Sequence, residues 1–166
     1  MIVCQKGNSG AVATLVDAFN GRLSAEGMEG VKELRKHCDQ RNSSNQGTAL
    51  WMICQNLHKN DDRHCADIVR RLVCQCGADV NLADDKKNFT PLHMVSEFGM
   101  VICADIIINA SKPADLEART RSGATPLFCA AQEGHTDMLT LLLESGADPD
   151  AERTMDGATA AHWAAK

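Results

Sequence analysis

No apolar run in this 166-residue chain approaches the roughly 20 residues that a bilayer-spanning helix needs. Positive charge is also in deficit. Seventeen lysines and arginines stand against 22 acidic residues, a formal net charge of −5. A general nucleic-acid binder usually carries a basic face, whereas the basic residues here are short groups among acids, as in RRLV (70–73) and DDKKNF (84–89). The opening MIVCQKGNSG is too short, and too polar after Cys4, for a secretory signal. Catalytic signatures are missing as well: there is no phosphate loop, nucleophile elbow, H-E-x-x-H or kinase motif set. Tyrosine is absent and phenylalanine occurs only four times, so an aromatic at an exposed position stands out.

Cysteine is plentiful, at eight residues, which raises the prospect of a disulfide scaffold. Against it, Cys38, Cys54, Cys74, Cys103 and Cys129 fall within apolar helical patterns, where a reduced cysteine acts as a small hydrophobe. The expectation is a reduced, intracellular protein, assigned to the cytoplasm with the nucleus left open. The sequons at Asn42 and Asn88 are then chance matches.

The chain repeats itself. GTALWMICQN, FTPLHMVSEF, ATPLFCAAQE and ATAAHWAAK align on Thr48, Thr90, Thr125 and Thr159, at successive offsets of 42, 35 and 34 residues. A second marker keeps the same beat: HCDQRN (37–42), CGADVN (76–81), PADLEA (113–118) and SGADPDA (145–151). Between the markers lie apolar residues at helical spacing: Ile68, Val69, Leu72 and Val73; Ile102, Ile106 and Ile107; Met138, Leu139, Leu142 and Leu143. Thr90 and Thr125 are placed to cap a first helix, with Pro91 and Pro126 at its first position. Gly99 and Gly134 end that helix; Gly77 and Gly146 close a second one. One such helix pair cannot bury both faces alone, so neighbouring units must stack.

TPLHMVSEFG, TPLFCAAQEGH, CGADVN and LLLESGADPD resemble the ankyrin repeat and its T-P-L-H-x-A signature. The resemblance implies an all-α solenoid of helix–turn–helix units with hairpin-like loops. It divides the chain into a degenerate N-terminal repeat (1–42), a repeat with an inter-helix insertion (43–84), two further repeats (85–119 and 120–153) and a truncated C-terminal repeat (154–166). Alanine replaces proline after Thr48 and Thr159, while Trp51 and Phe128 take the place of the signature histidine. The insertion LHKNDDRHC (57–65) is read as a tolerated loop or a second contact surface. Trp163 would lack cover at the C-terminal end, leaving room for self-association or further repeats.

Three chemical readings compete with a purely architectural one. In the resembled family the histidine of the signature links the helix start to the neighbouring loop, a structural role implied for His93 and His162. His135–Asp137 fall at the family's inter-helix turn, while the pairs Asp61–Asp62 and Asp84–Asp85 read as solvated loop. Zinc is conceivable from His58, His64, Cys65, Cys74 and Cys76, but in one helix over 68–76 Cys74 and Cys76 point about 200° apart.

The resemblance therefore implies a non-catalytic protein–protein interaction module, with no cofactor, no metal, no nucleic acid and no membrane insertion, binding another protein on its concave face. The family's variable positions map onto Lys86, Lys87, Phe89, Glu97 and Phe98; Arg121, Ser122, Gln132 and Glu133; Met155 and Asp156; and, in the Thr48 repeat, Ser44, Asn45, Gln55 and Asn56. Phe89 and Phe98 either form an exposed hot spot beside Arg121 or pack onto the scaffold. The alternative reading is a regulatory or targeting portion of a longer enzyme, such as a kinase or ubiquitin ligase.

Overall fold

The computed structural model describes residues 38–41, 47–57 and 62–164. Apart from 38–41, the degenerate repeat expected over 1–42 lies outside the described residues. So do Ser44, Asn45, the Asn56 side chain and the middle of the insertion at 57–65.

The described residues form helices and turns without strands. Helix α1 (Ala49–Leu57) pairs with α2 (Asp62–Arg70), α3 (Pro91–Glu97) with α4 (Val101–Ile108), and α5 (Pro126–Glu133) with α6 (Thr136–Glu144); α7 is Ala160–Ala164. The first helices stack in the order α1, α3, α5, α7, and α2, α4 and α6 stack behind them, making a solenoid. Each first helix starts as the sequence dictates. The hydroxyls of Thr48, Thr90 and Thr125 accept the N–H of Trp51, His93 and Phe128, each at 3.3 Å. A cap of this kind contributes about 1 kcal/mol. Pro91 and Pro126 occupy the first turn, where no amide donor is needed. Gly99, Gly134, Gly77 and Gly146 all follow helix ends with positive φ, as expected.

The single helix expected over 68–76 is instead an α-helix to Arg70 followed by a π-turn over Arg71–Gln75. There the Cys76 N–H reaches back five residues to the Arg71 carbonyl at 3.1 Å. Cys74 is exposed, which corrects its assignment to the apolar face; Cys76 is buried. Ile102 and Leu143, also members of apolar runs, face outward on α4 and α6. The remaining apolar positions build one cluster running along the stack, from Leu50 and Val69 through Leu92, Val95 and Ile107 to Met138 and Leu142. A smaller cluster holds Ala124, Phe128 and Cys129, with Trp163 packed against it. Trp163 is thus half-buried, edge-on to Phe128 at 5.9 Å.

The second sequence marker has a mechanism that its spacing alone does not reveal. In three of the four copies an aspartate turns the chain by accepting the N–H two residues on: Asp79 from Asn81, Asp115 from Glu117 and Asp148 from Asp150, each at 3.0 Å. The side chain before or at that second position takes the aspartate N–H of the next unit. Asp39 accepts from Asp79 (2.8 Å), Asn81 from Asp115 (2.8 Å) and Glu117 from Asp148 (2.9 Å). These bonds set the register between successive loops.

The hairpin-like loops also touch one another. The Arg121 N–H donates to the Lys87 carbonyl at 2.8 Å, and Thr154 Oγ1 donates to the Ser122 carbonyl at 3.4 Å. Gly123 sits at that second contact with φ +80; an added Cβ would lie 2.6 Å from the Thr154 backbone nitrogen and collide with its Oγ1. Left-handed backbone costs an L-residue about 1–2 kcal/mol before any collision. Gly123→Ala is therefore expected to lower stability by about 2 kcal/mol in urea unfolding. A loss under about 0.5 kcal/mol would mean that the loops part freely.

Candidate functional site

The loop over 84–89 is built around one carboxylate. Asp84 was expected to be solvated, but it is only 4% exposed. Its oxygens accept the N–H groups of Lys86 (3.2 Å), Lys87 (3.1 Å) and Phe89 (2.7 Å), and its own N–H donates to the Phe89 carbonyl at 2.9 Å. Three backbone donors satisfy a charge that would otherwise be costly to bury. Asn88 closes the hairpin in the left-handed region at φ 56, with its amide donating to the Arg119 carbonyl at 2.7 Å. Asparagine tolerates that conformation better than most residues. The result is a stiff loop that projects Lys86 and Lys87 outward and lays Phe89 back against the helices.

Between this loop, α1 and α3 lies a groove of about 310 Å³, lined by Trp51, Gln55, Asp84, Lys86, Lys87, Phe89, Met94, Glu97 and Phe98. All five positions carried over from the Thr90 repeat meet here, together with Gln55 from the preceding repeat. Phe89 and Phe98 are half-buried and pack against the core cluster. Phe89 lies 5.3 Å from the His93 ring, with the Lys87 ammonium 5.6 Å from its centroid. Each phenylalanine therefore has one part against the scaffold and another in the groove wall. Trp51 lines the same groove, and its indole N–H is buried with no hydrogen-bond partner among the described residues. Sequence reasoning singled out Trp51 only as a departure from histidine.

The other carried-over positions lie elsewhere. Arg121 does not line the groove with the phenylalanines. It faces a polar recess on the loop edge with Arg41, Asn81, Asp85 and Asn88, and its guanidinium donates to the Asp85 carbonyl. Arg41 pairs with the Asp85 carboxylate at 2.6 Å from the other side. Ser122 is tied to Thr120 through their hydroxyls at 2.9 Å. Gln132 and Glu133 are exposed at the end of α5, where the Gln132 amide donates to Glu133 at 3.0 Å. Met155 is 75% exposed at a loop tip. Asp156 pairs with Arg153, whose hydrogen bond holds the Asp156 carboxyl down to about 2.

The three histidines with described side chains, His93, His135 and His162, are engaged in the frame. His93 Nδ1 accepts the Thr90 N–H (3.2 Å) and faces the Thr90 hydroxyl (2.8 Å), while Nε2 donates to the Ala124 carbonyl of the next unit at 3.1 Å. Burial is the main cause that pushes His93 down to about 4. His162 repeats the local half of this arrangement with Thr159. His135 donates to the Glu97 carbonyl at 3.0 Å, bridging two inter-helix turns. Among the residues considered for zinc, Cys74 is exposed and Cys76 buried, so they do not face one ion; His58 and the His64 side chain lie outside the described residues. Among the described residues no three histidine, cysteine or acidic side chains converge as metal ligands. No helix of the described residues is long and apolar enough to cross a membrane.

Comparison with known proteins bears on the whole frame. The family pattern of ankyrin repeats, in three copies, matches residues 60–153. The human ankyrin repeat and SOCS box protein 3 is 39% identical over 84 residues, 50% of this chain and 16% of that protein. The bovine ankyrin repeat and SOCS box protein 2 is 28% identical over 111 residues, 66% of this chain and 16% of that protein. The chicken nuclear factor NF-kappa-B p105 subunit is 35% identical over 82 residues, 49% of this chain and 8% of that protein. The chain thus spans a small part of the length of these relatives. Threonine caps, reversing glycines and stacked helix pairs agree with the family pattern over more than half the sequence, and the chain belongs to the ankyrin-repeat family.

Proposed function

We propose that the chain is a non-catalytic, intracellular interaction module that binds another protein through the face carrying α1, α3 and the loop over 84–89. Ankyrin repeats generally serve protein–protein interaction. The observation that carries the placement on this chain is the groove itself. Two successive repeats supply apolar wall from Trp51, Phe89, Met94 and Phe98, with Lys86, Lys87, Gln55 and Glu97 at its polar margin. Rigid aromatic wall inside a polar rim is the arrangement that concentrates binding energy at interfaces. Among the described residues no nucleophile–base pair accompanies it, and His93, His135 and His162 are committed to the frame.

The test leaves the scaffold intact. Gln55→Arg, Lys86→Glu and Glu97→Lys together reverse or add charge on the rim without touching Phe89 or the Asp84 carboxylate. The triple variant is expected to keep the native circular dichroism and thermal midpoint while losing at least 90% of the partner that the natural chain captures from source-cell extract. Equal capture by both would refute the groove as the recognition surface. A second reading is favoured by the 16% or less of each relative that the chain spans: the array is the targeting portion of a longer multidomain protein. The complete open reading frame decides that point.

A further inference from the structure

The two ends of α3 carry charge of opposite sign, and both charges run against what the helix itself favours. A helix has a positive N-terminal end and a negative C-terminal end, so acids suit its start and bases its finish. Helix α3 has no acidic residue in its first turn and no basic residue in its last. Instead the exposed Lys86 and Lys87 lie on the loop just before it, and Glu97 is its final residue. Asp84 does not neutralise the lysine side chains, because its oxygens are turned to three backbone N–H groups. Among the described residues neither lysine ammonium has an ion-pair partner, and neither does the Glu97 carboxylate. The Lys87 ammonium rests instead 5.6 Å from the Phe89 ring centroid. Between these charged ends Phe89, Met94 and Phe98 line the groove of about 310 Å³. Helix α5 repeats the negative end: it finishes at Glu133, again with no basic residue in its last turn.

Taking the groove as the recognition face, we propose that its occupant is a short extended segment of a partner protein, with an apolar residue between an acidic and a basic one. The acidic side chain pairs with Lys86 and Lys87. The apolar one enters between Phe89 and Phe98 over Met94, and the basic one meets Glu97 at the negative end of α3. Spacing follows from the helix. Helix α3 is seven residues long, about 10 Å from end to end. An extended chain advances roughly 3.3 Å per residue, so the acidic and basic residues stand about three to five positions apart. The groove volume lies at the low end of the roughly 300–1,000 Å³ spanned by ligand clefts, which suits a short segment. Charge order selects direction as well as composition, since a reversed segment would set its acid on Glu97 and its base on the lysines. A nucleic-acid strand fits badly, because its phosphates would run from the lysines on to Glu97.

The test lets the chain choose its own occupant. A phage-displayed library of random dodecapeptides is panned against the full chain. The best peptide is then synthesised with a fluorescent label and titrated by anisotropy. Enriched peptides are expected to share an acidic, an apolar and a basic residue in the order and spacing given. Lys86→Glu with Lys87→Glu should weaken the labelled peptide about tenfold or more, and Glu97→Lys about threefold, with circular dichroism unchanged. High salt should weaken it too. A peptide whose acidic residue is changed to lysine should regain affinity for the double variant, a rescue that mere loss of packing would not give. Enriched peptides that lack an acidic residue, or that ignore the lysine reversal yet weaken with Glu97→Lys, would overturn this occupant and leave the groove as the recognition face. Peptides indifferent to all three substitutions bind elsewhere; they would overturn the occupant and count against the groove as well. No enrichment over the bare support would overturn a short segment as the occupant, and the capture comparison with the triple variant would then decide the groove by itself.

Discussion

Replacing Phe128 by alanine is expected to destabilise the chain by about 3–5 kcal/mol, among the largest effects of any single substitution here. Phe128 is 1% exposed, and it occupies the position that His93 and His162 fill in other repeats. Its ring receives Trp163 edge-on at 5.9 Å and the Arg153 guanidinium over its face at 4.7 Å. Arg153 also lies 5.7 Å from the Trp163 ring, so Phe128 is the floor on which two partners of the last helix rest. Truncation opens a ring-sized cavity and releases Trp163 as well. Urea unfolding should show the loss, and the native tryptophan emission should shift to longer wavelength before unfolding begins. A loss below about 1 kcal/mol with unchanged emission would mean that α7 is held by something else. Phe128→His offers a finer contrast. By analogy with His93, which donates to Ala124, the new imidazole would face the carbonyl of Ala158, the residue that precedes Thr159. It should recover part of the stability that alanine loses.

The substitution of histidine by phenylalanine or tryptophan at this position was plain in the sequence; what it did was not. Local features were legible because their physics is local. A threonine before proline caps a helix, a glycine three residues past an apolar run reverses it, and both act within one turn of chain. The misread residues depend on backbone geometry that the pattern does not display, or on how one repeat meets another. Asp84 reads as a solvated acid until the loop folds three amides around it. Cys74 sits on an apolar stripe only if the helix keeps its α pitch, and the π-turn over 71–75 rotates it outward. Arg121 is adjacent to the groove in repeat register, yet its guanidinium reaches the Asp85 carbonyl on the outer edge. Six of the carried-over positions converged on one groove because the family pattern encodes their stacking. Trp51 escaped notice there because a residue standing in for a buried histidine gives no sign of which wall it will form.

His93 makes the fold sensitive to mild acid, and the sign follows from its surroundings. Burial is the first cause of its depressed value, about 4 against an ordinary 6.5; the bond to the Ala124 carbonyl opposes the shift without overcoming it. The folded chain therefore excludes a proton that the unfolded chain accepts between those values. Stability is fully present above pH 6.5, falls as pH drops through the window, and loses nothing further from this group below about pH 4. Within the window the slope approaches about 1.4 kcal/mol per pH unit, for a total of about 3 kcal/mol. Asp156, held down to about 2 by Arg153, acts only at still lower pH and does not confuse the reading. His93→Phe, which copies the residue at the equivalent position of the next repeat, separates the contributions. At pH 7 it should lose about 2–3 kcal/mol, because the Thr90 N–H is left without its acceptor and the Ala124 carbonyl loses one of two donors. Between pH 6.5 and 4.5 its stability should be nearly flat, so that the two curves converge as the natural chain weakens. Parallel curves would show that His93 does not carry the acid response. In that case the imidazole would have to keep its proton within the fold, and the bond from Nε2 to Ala124 could not by itself define the neutral form.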